Sequence, residues 1–119
     1  MATGLENLKI YQMAERFELE VYQITKQFPK DERFRSIDQL LRSSASVANN
    51  IAESYNRVTV KEKVRCCVIA KAEAEETKRN ILRSAKKNFI DQVIAHNLAN
   101  KYTELLKAIS GYIRFLKKC

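Results

Sequence analysis

The chain gathers its cations into one stretch. Arg57, Lys61, Arg65, Lys71, Lys78, Arg79, Arg83 and Lys86 lie within residues 57–87, and Lys107 and Arg114 follow seven residues apart. The 119 residues carry a net charge of +8. Residues 57–87 contribute +6 of it and residues 101–119 contribute +4, while residues 1–56 and 88–100 each count −1. Arg65, Arg79 and Lys86 share a seven-residue register, which on a helix is one face. Lys71 and Lys78 lie beside that register, Arg83 is nearby, and Arg57 and Lys61 extend the charge toward the preceding joint. Phosphate backbones reward such an array, because each neutralised phosphate releases condensed counterions and gives affinity without sequence reading. The arginine fork fits phosphate oxygens especially well. These residues are therefore the candidate contacts to RNA or DNA. The competing readings are an ordinary solvated helix face and a surface that docks an acidic protein partner without nucleic acid.

Other chemistries lack their residues. A serine nucleophile among Ser43, Ser44 and Ser46 would need a base and a group to orient it. The single imidazole, His96, is placed beside them by nothing in the pattern. A helical di-iron site needs a Glu-x-x-His motif from each of two helices, and Val93 stands three before His96. No CxxC or zinc spacing occurs, and the only glycines, Gly4 and Gly111, make no phosphate loop. Cys66, Cys67 and Cys119 are an odd count without framework spacing and read as reduced thiols. Glu73, Glu75 and Glu76 sit among lysines and arginines, as helix-surface ion pairs do. A non-enzymatic protein with no metal and no cofactor is expected.

The elements that must position these side chains are helices. Two glycines and one proline leave little material for hairpins, and apolar residues recur at spacings of three and four. The first stripe is Ile10, Ala14, Phe17, Val21, Ile24 and Phe28, closed by Pro29. The second is Phe34, Ile37, Leu41, Ser44, Ala48, Ile51 and Tyr55, with Asp31 as its expected cap. The third is Val60, Cys67, Ala70, Ala74, Thr77 and Ile81, opened by a capping box of Thr59 and Glu62. The fourth is Ile94, Leu98, Tyr102, Leu105, Ile109, Tyr112 and Leu116, with Asp91 as cap. The spacing predicts helices over about 6–28, 32–56, 60–87 and 91–117, an all-α, up-down-up-down antiparallel four-helix bundle in one domain, residues 1–119. Leu40, Val47, Leu106 and Ile113 exceed what one seam needs, and that excess predicts a homo-oligomer. No apolar run approaches the roughly 20 residues of a membrane span. The opening MATGLENLKIYQ lacks the basic start and apolar centre of a signal peptide, so a cytoplasmic location without a membrane role is expected.

The stretch SSASVANNIAES, residues 43–54, has the composition of a linker and the spacing of a helix. Its small residues fall at inward positions, where they let a neighbouring helix approach closely. Asn50 and Glu53, nearly one turn apart, read as a structural polar pair whose hydrogen bonds fix helix or subunit register, with ligand contact as the alternative.

Residues 39–53, QLLRSSASVANNIAE, resemble the signature of the four-helix-bundle proteins related to those encoded in intervening sequences of bacterial large-subunit ribosomal RNA genes. Gln39, Leu40, Arg42, Ser46, Asn50, Ile51, Ala52 and Glu53 match the family pattern. LENLKIYQMA, VYQITKQFPKDERF and IAKAEAEE resemble its opening, first turn and third-helix centre. Ala48 and Ser54 replace a usual proline and glycine, FRS replaces FGL, and Cys66 and Cys67 stand where bulky residues are common. The resemblance implies an antiparallel bundle assembling as a ring, most often a homopentamer, with no enzymatic activity. More distantly the chain is similar to accessory proteins of diversity-generating retroelements, basic pentameric bundles that bind nucleic acid and a reverse transcriptase. A reverse transcriptase is thereby an implied partner.

Overall fold

In the computed structural model, which describes residues 4–118, helices run over Lys9–Thr25 (α1), Ser36–Asn56 (α2), Val60–Lys86 (α3) and Gln92–Lys117 (α4). Short 3-10 turns at Leu5–Asn7 and Lys30–Glu32 precede α1 and α2. Each helix packs on its sequence neighbours, and α1 closes on α4. The pairings run antiparallel. Ser43 meets Thr77 and Ser54 meets Cys67 across α2 and α3. Phe17 meets Tyr102, and Phe28, just past α1, meets Phe89, just before α4.

The core is built from the expected stripes of α1, α3 and α4. Ile10, Ala14, Phe17, Val21, Cys67, Ala70, Ala74, Ile81, Leu98, Tyr102, Leu105 and Ile109 are all buried. Full burial of a side chain such as Ile81 or Leu105 stabilises by about 1.5–3 kcal/mol. The α2 stripe is rotated from the expected one. Its buried residues are Leu40, Ser43, Ser44, Val47, Ala48, Ile51 and Ser54. Leu40 and Val47 are therefore not surplus for assembly; both are fully buried within one chain. Tyr55 lies at the edge, and Val60 and Ile94, expected inward, are partly exposed at the first turns of α3 and α4. Phe34, also expected inward, is 84% exposed, because the helix that was to carry it starts two residues later.

The α2–α3 seam is made of small residues and hydroxyls. Thr77 donates to the Glu73 carbonyl at 2.8 Å, so the 2.7 Å bond to Ser43 runs from Ser43 to Thr77. Ser54 Oγ lies 3.2 Å from the Cys67 sulfur. Burial pushes the Cys67 thiol above its ordinary pKa, so it sits in the core as a neutral group.

Caps terminate the helices as the sequence predicts in two cases of three. Thr59 Oγ1 accepts from the Glu62 amide at 3.1 Å, and the Glu62 carboxylate returns to the Thr59 amide. Asp91 accepts from the Val93 and Ile94 amides. Each such cap is worth about 1 kcal/mol. α3 ends in a Schellman arrangement: Phe89 and Asn88 donate to the Ser84 and Ala85 carbonyls, and Asn88 takes a left-handed φ of 64°. Asp31, the expected cap of α2, lies instead in the 3-10 turn, and the helix starts at Ser36. Glu32 takes the role. Its carboxylate accepts from Ser36 Oγ at 2.8 Å and from the Ser36 amide, with the Arg35 guanidinium at 3.7 Å.

Two consequences are measurable. The Ser36 hydrogen bonds, opposed by desolvation and helped by the charges of Arg35 and Lys87, hold the Glu32 carboxyl below its ordinary value of 4.5. A depressed folded-state pKa stabilises above the unfolded value, and that contribution disappears as pH falls through the folded one. Urea unfolding of wild type and Glu32→Gln from pH 6 downward should show wild type more stable at pH 6 and the two curves converging in acid. The Tyr102 hydroxyl is fully buried and has no hydrogen-bond partner among the described residues. An unsatisfied buried hydroxyl costs about 1–3 kcal/mol, so Tyr102→Phe should raise thermal stability by about 1 kcal/mol. A loss of that size would show that the hydroxyl is paired.

Candidate nucleic-acid interface

The bonds of Thr77 and Cys67 to α2 fix which way every other α3 side chain points. One residue turns a helix by about 100°. Lys61, Arg65, Arg79 and Lys86 therefore emerge on the outer face, and all four are exposed. Lys71 and Lys78 lie on the flank away from α2, half-exposed. Arg83 is on the α2 side, where its guanidinium donates to Asn80 Oδ1 at 2.9 Å and borders a small hollow with Ser36, Gln39 and Lys87.

The outer face is not one continuous cationic stripe. Val68, Ala72, Glu75 and Glu76 occupy its middle. Arg65 and Arg79 are 14 residues apart, about 21 Å along the axis at ~1.5 Å per residue. Two groups result. Lys61 and Arg65 stand at the end of the bundle where α4 finishes with Arg114 and Lys117, and Arg79, Arg83 and Lys86 stand at the other.

Two of the expected contacts are paired with carboxylates inside the chain. Arg57 pairs with Glu53 at 3.1 Å and Lys107 with Glu104 at 3.5 Å. Both pairs are solvent-exposed and worth about 0–1 kcal/mol, so a phosphate can compete for either cation. Among the described residues, no carboxylate lies within 4 Å of Lys61, Arg65, Lys71, Lys78, Arg79, Lys86 or Arg114. Lys63, by contrast, donates to the Ser54 and Tyr55 carbonyls at 3.3 and 3.1 Å and closes the C-terminal end of α2. It is a cap, and the helix-end spacing is the signal that separates it from its neighbours.

The expected polar pair is brought to α2 alone. Asn50 donates to the Ser46 carbonyl and hydroxyl at 2.9 and 3.0 Å, and Glu53 holds Arg57. Inter-helix register rests instead on Ser43, Thr77, Ser54 and Cys67, which the stripe pattern did not single out as a bonded set. Ser44 donates to the Leu41 carbonyl, and His96 bonds to the Gln92 carbonyl on α4.

A polar groove of about 330 Å³ runs between α2 and α3, lined by Asp38, Gln39, Arg42, Ser43, Ser46, Glu73 and Glu76. Arg42 is tied to Asp38 at 3.5 Å. Burial and then the neighbouring Glu76 raise the Glu73 carboxyl. The groove is acidic and does not suit phosphate. Among the described residues no group of three or more His, Cys, Asp or Glu side chains is placed to hold a metal ion, and no helix is long and apolar enough to cross a membrane.

A family model described as 23S rRNA-intervening sequence protein matches residues 6–111. The chain belongs to this family. The match takes in α1, α2 and α3 whole and most of α4, so both cation groups except the last turns of α4 fall within the family's own frame. The crystal structure of a protein of unknown function from the S23 ribosomal protein family of Bacteroides thetaiotaomicron superposes with a TM-score of 0.81. It is 22% identical and the alignment covers 87% of this chain and 97% of that one. At that identity the likeness is one of fold. No curated protein matches the chain.

Proposed function

We propose that this member of the intervening-sequence family is a non-enzymatic, ring-forming bundle that binds RNA or DNA through the phosphate backbone. The observation that carries the reading is the set of cations on α3 without a carboxylate partner, held on a helix whose inner face is fixed by bonds to α2. Arg65, Arg79 and Lys86 contact phosphate from the outer face, Lys61 and Arg114 extend it at one end, and Lys71 and Lys78 from the flank. The resemblance to retroelement accessory proteins adds a reverse transcriptase as the protein partner and a pentamer as the assembly. An α1–α4 surface supports assembly: Leu19 is 60% exposed beside the half-buried Ile24, and Ile94 lies seven residues before Lys101, which reaches Glu20 of α1. A second copy of the chain packing there would cover these apolar side chains.

A second reading has one observation in its favour. Val68 and Ile69 are exposed in the middle of α3 between the two cation groups. An acidic protein with a central apolar patch would fit that pattern.

Gel shift at low salt with single-stranded, duplex and structured RNA should show binding to all three. If about six phosphates are neutralised, affinity should fall about 10³-fold between 50 and 200 mM salt. Arg65→Glu and Arg79→Glu should each flatten the salt slope by about one, with the fold intact because both side chains are exposed. Absence of any shift at low salt overturns the reading in favour of the protein partner. Light scattering at micromolar concentration should return a multiple of the 13.8 kDa chain, five for the pentamer; a monomer contradicts the ring.

A further inference from the structure

The corner between α1 and α2 combines cations with aromatic rings, which the α3 face does not. Lys26, Lys30 and Arg33 rim a surface hollow of about 430 Å³ floored by Phe28 and Ile37. Phe34 projects beside it and is the most exposed ring among the described residues. The Arg33 guanidinium lies 5.4 Å from the Phe34 ring centroid, and the Lys26 ammonium lies 4.6 Å from that of Tyr22, itself half-exposed. None of the three rim cations has a carboxylate within 4 Å among the described residues. The backbone here is a 3-10 turn followed by the Glu32 cap, so the segment that carries the ring is bounded by short-range structure on both sides.

An exposed phenyl ring flanked by unpaired cations has one polyanion that suits both parts. A nucleobase offers a flat π-face to the ring, and its phosphates offer charge to the rim. A duplex keeps its bases stacked inside and meets only the cations. A membrane surface would demand a broader exposed apolar face than one ring. The hollow's apolar floor adds a place for a base edge that a purely electrostatic site lacks.

We propose that this corner binds single-stranded nucleic acid, stacking an unpaired base on Phe34 and seating the adjoining phosphates on Lys26, Lys30 and Arg33. The proposal rests on the phosphate-binding reading of α3 for the rest of the affinity and adds strand selectivity to it. The corner adjoins the cation group at the α3 C-terminus, since Ser36, bonded to Glu32 of the turn, shares a small hollow with Arg83 and Lys87.

The test is fluorescence anisotropy with labelled oligouridylate, oligothymidylate and a duplex of the same length, at low salt. Stacking on one aromatic ring is worth about 1–3 kcal/mol per base. Phe34→Ala should therefore weaken binding of both single strands about tenfold and leave duplex binding within about twofold, while Phe34→Trp should keep single-strand affinity. The RNA and DNA arms separate a base-stacking contact, which treats both alike, from one that needs the ribose hydroxyl. Equal losses on single strand and duplex, or no loss on either, overturn the proposal. So does a Phe34→Ala protein whose light-scattering mass drops, since the ring then belongs to a subunit contact, and so does a loss confined to binding of anionic vesicles. Wild type that binds neither nucleic acid form takes the phosphate reading down as well; wild type that binds both with Phe34→Ala unchanged removes only this proposal.

Discussion

The hydrogen bond from Ser43 to Thr77 is buried between α2 and α3, beneath the polar groove that Ser43 helps to line. A buried hydroxyl left unpaired there destabilises by about 1–3 kcal/mol. Sliding α3 by one residue along α2 would turn it by about 100° and break this bond, leaving Thr77 only its bond to the Glu73 carbonyl. The second bond, Ser54 to Cys67, stands at the other end of the same seam and forbids the same slip. Ala70 and Ala74, buried on the same helix as Thr77 and Cys67, are too small to set register by shape. The polar contacts thus supply the specificity, and the alanines supply the dispersion contact that makes the approach favourable.

Because the inner face of α3 is pinned, its outer face is pinned too. The directions of Lys61, Arg65, Arg79 and Lys86 follow from bonds made by other residues on the opposite side of the helix. Exposed ion pairs such as Arg57 with Glu53 contribute little to the fold. The distribution of charge is therefore nearly independent of stability. The fold tolerates cations gathered at both ends of the bundle, with an acidic groove between α2 and α3.

The stripes of α1, α3 and α4, the capping box at Thr59 and the Asp91 cap were legible because bulky apolar residues and cap chemistry leave one phase for each helix. The phase of α2 was not. In a stretch where serine and alanine occupy most positions, small residues fit either side, and only Leu40 and Val47 against Leu41 and Tyr55 separate the two choices. The start of α2 is hidden in the sequence for a related reason. Phe34 continues the three-four spacing by number alone, while the Glu32 cap that delays the helix works through a carboxylate placed before the N-cap, outside the usual capping pattern. Of the candidate contacts, the cations were legible as a set. Their division into two groups and the pairing of Arg57 and Lys107 depend on neighbours brought in by the fold.

The four seams are unequal. α2–α3 is the most extensive and α1–α4 the least, although α1 and α4 share the Phe17–Tyr102 contact and the Lys101–Glu20 pair. The α2–α3 hairpin joins residues near in sequence, while α1 meets α4 only across the length of the chain. α1 is accordingly the helix with the least extensive packing on the rest of the bundle, the kind of element that opens at low cost. An arm that leaves its own bundle with an intact apolar stripe is the unit that two copies of a chain exchange.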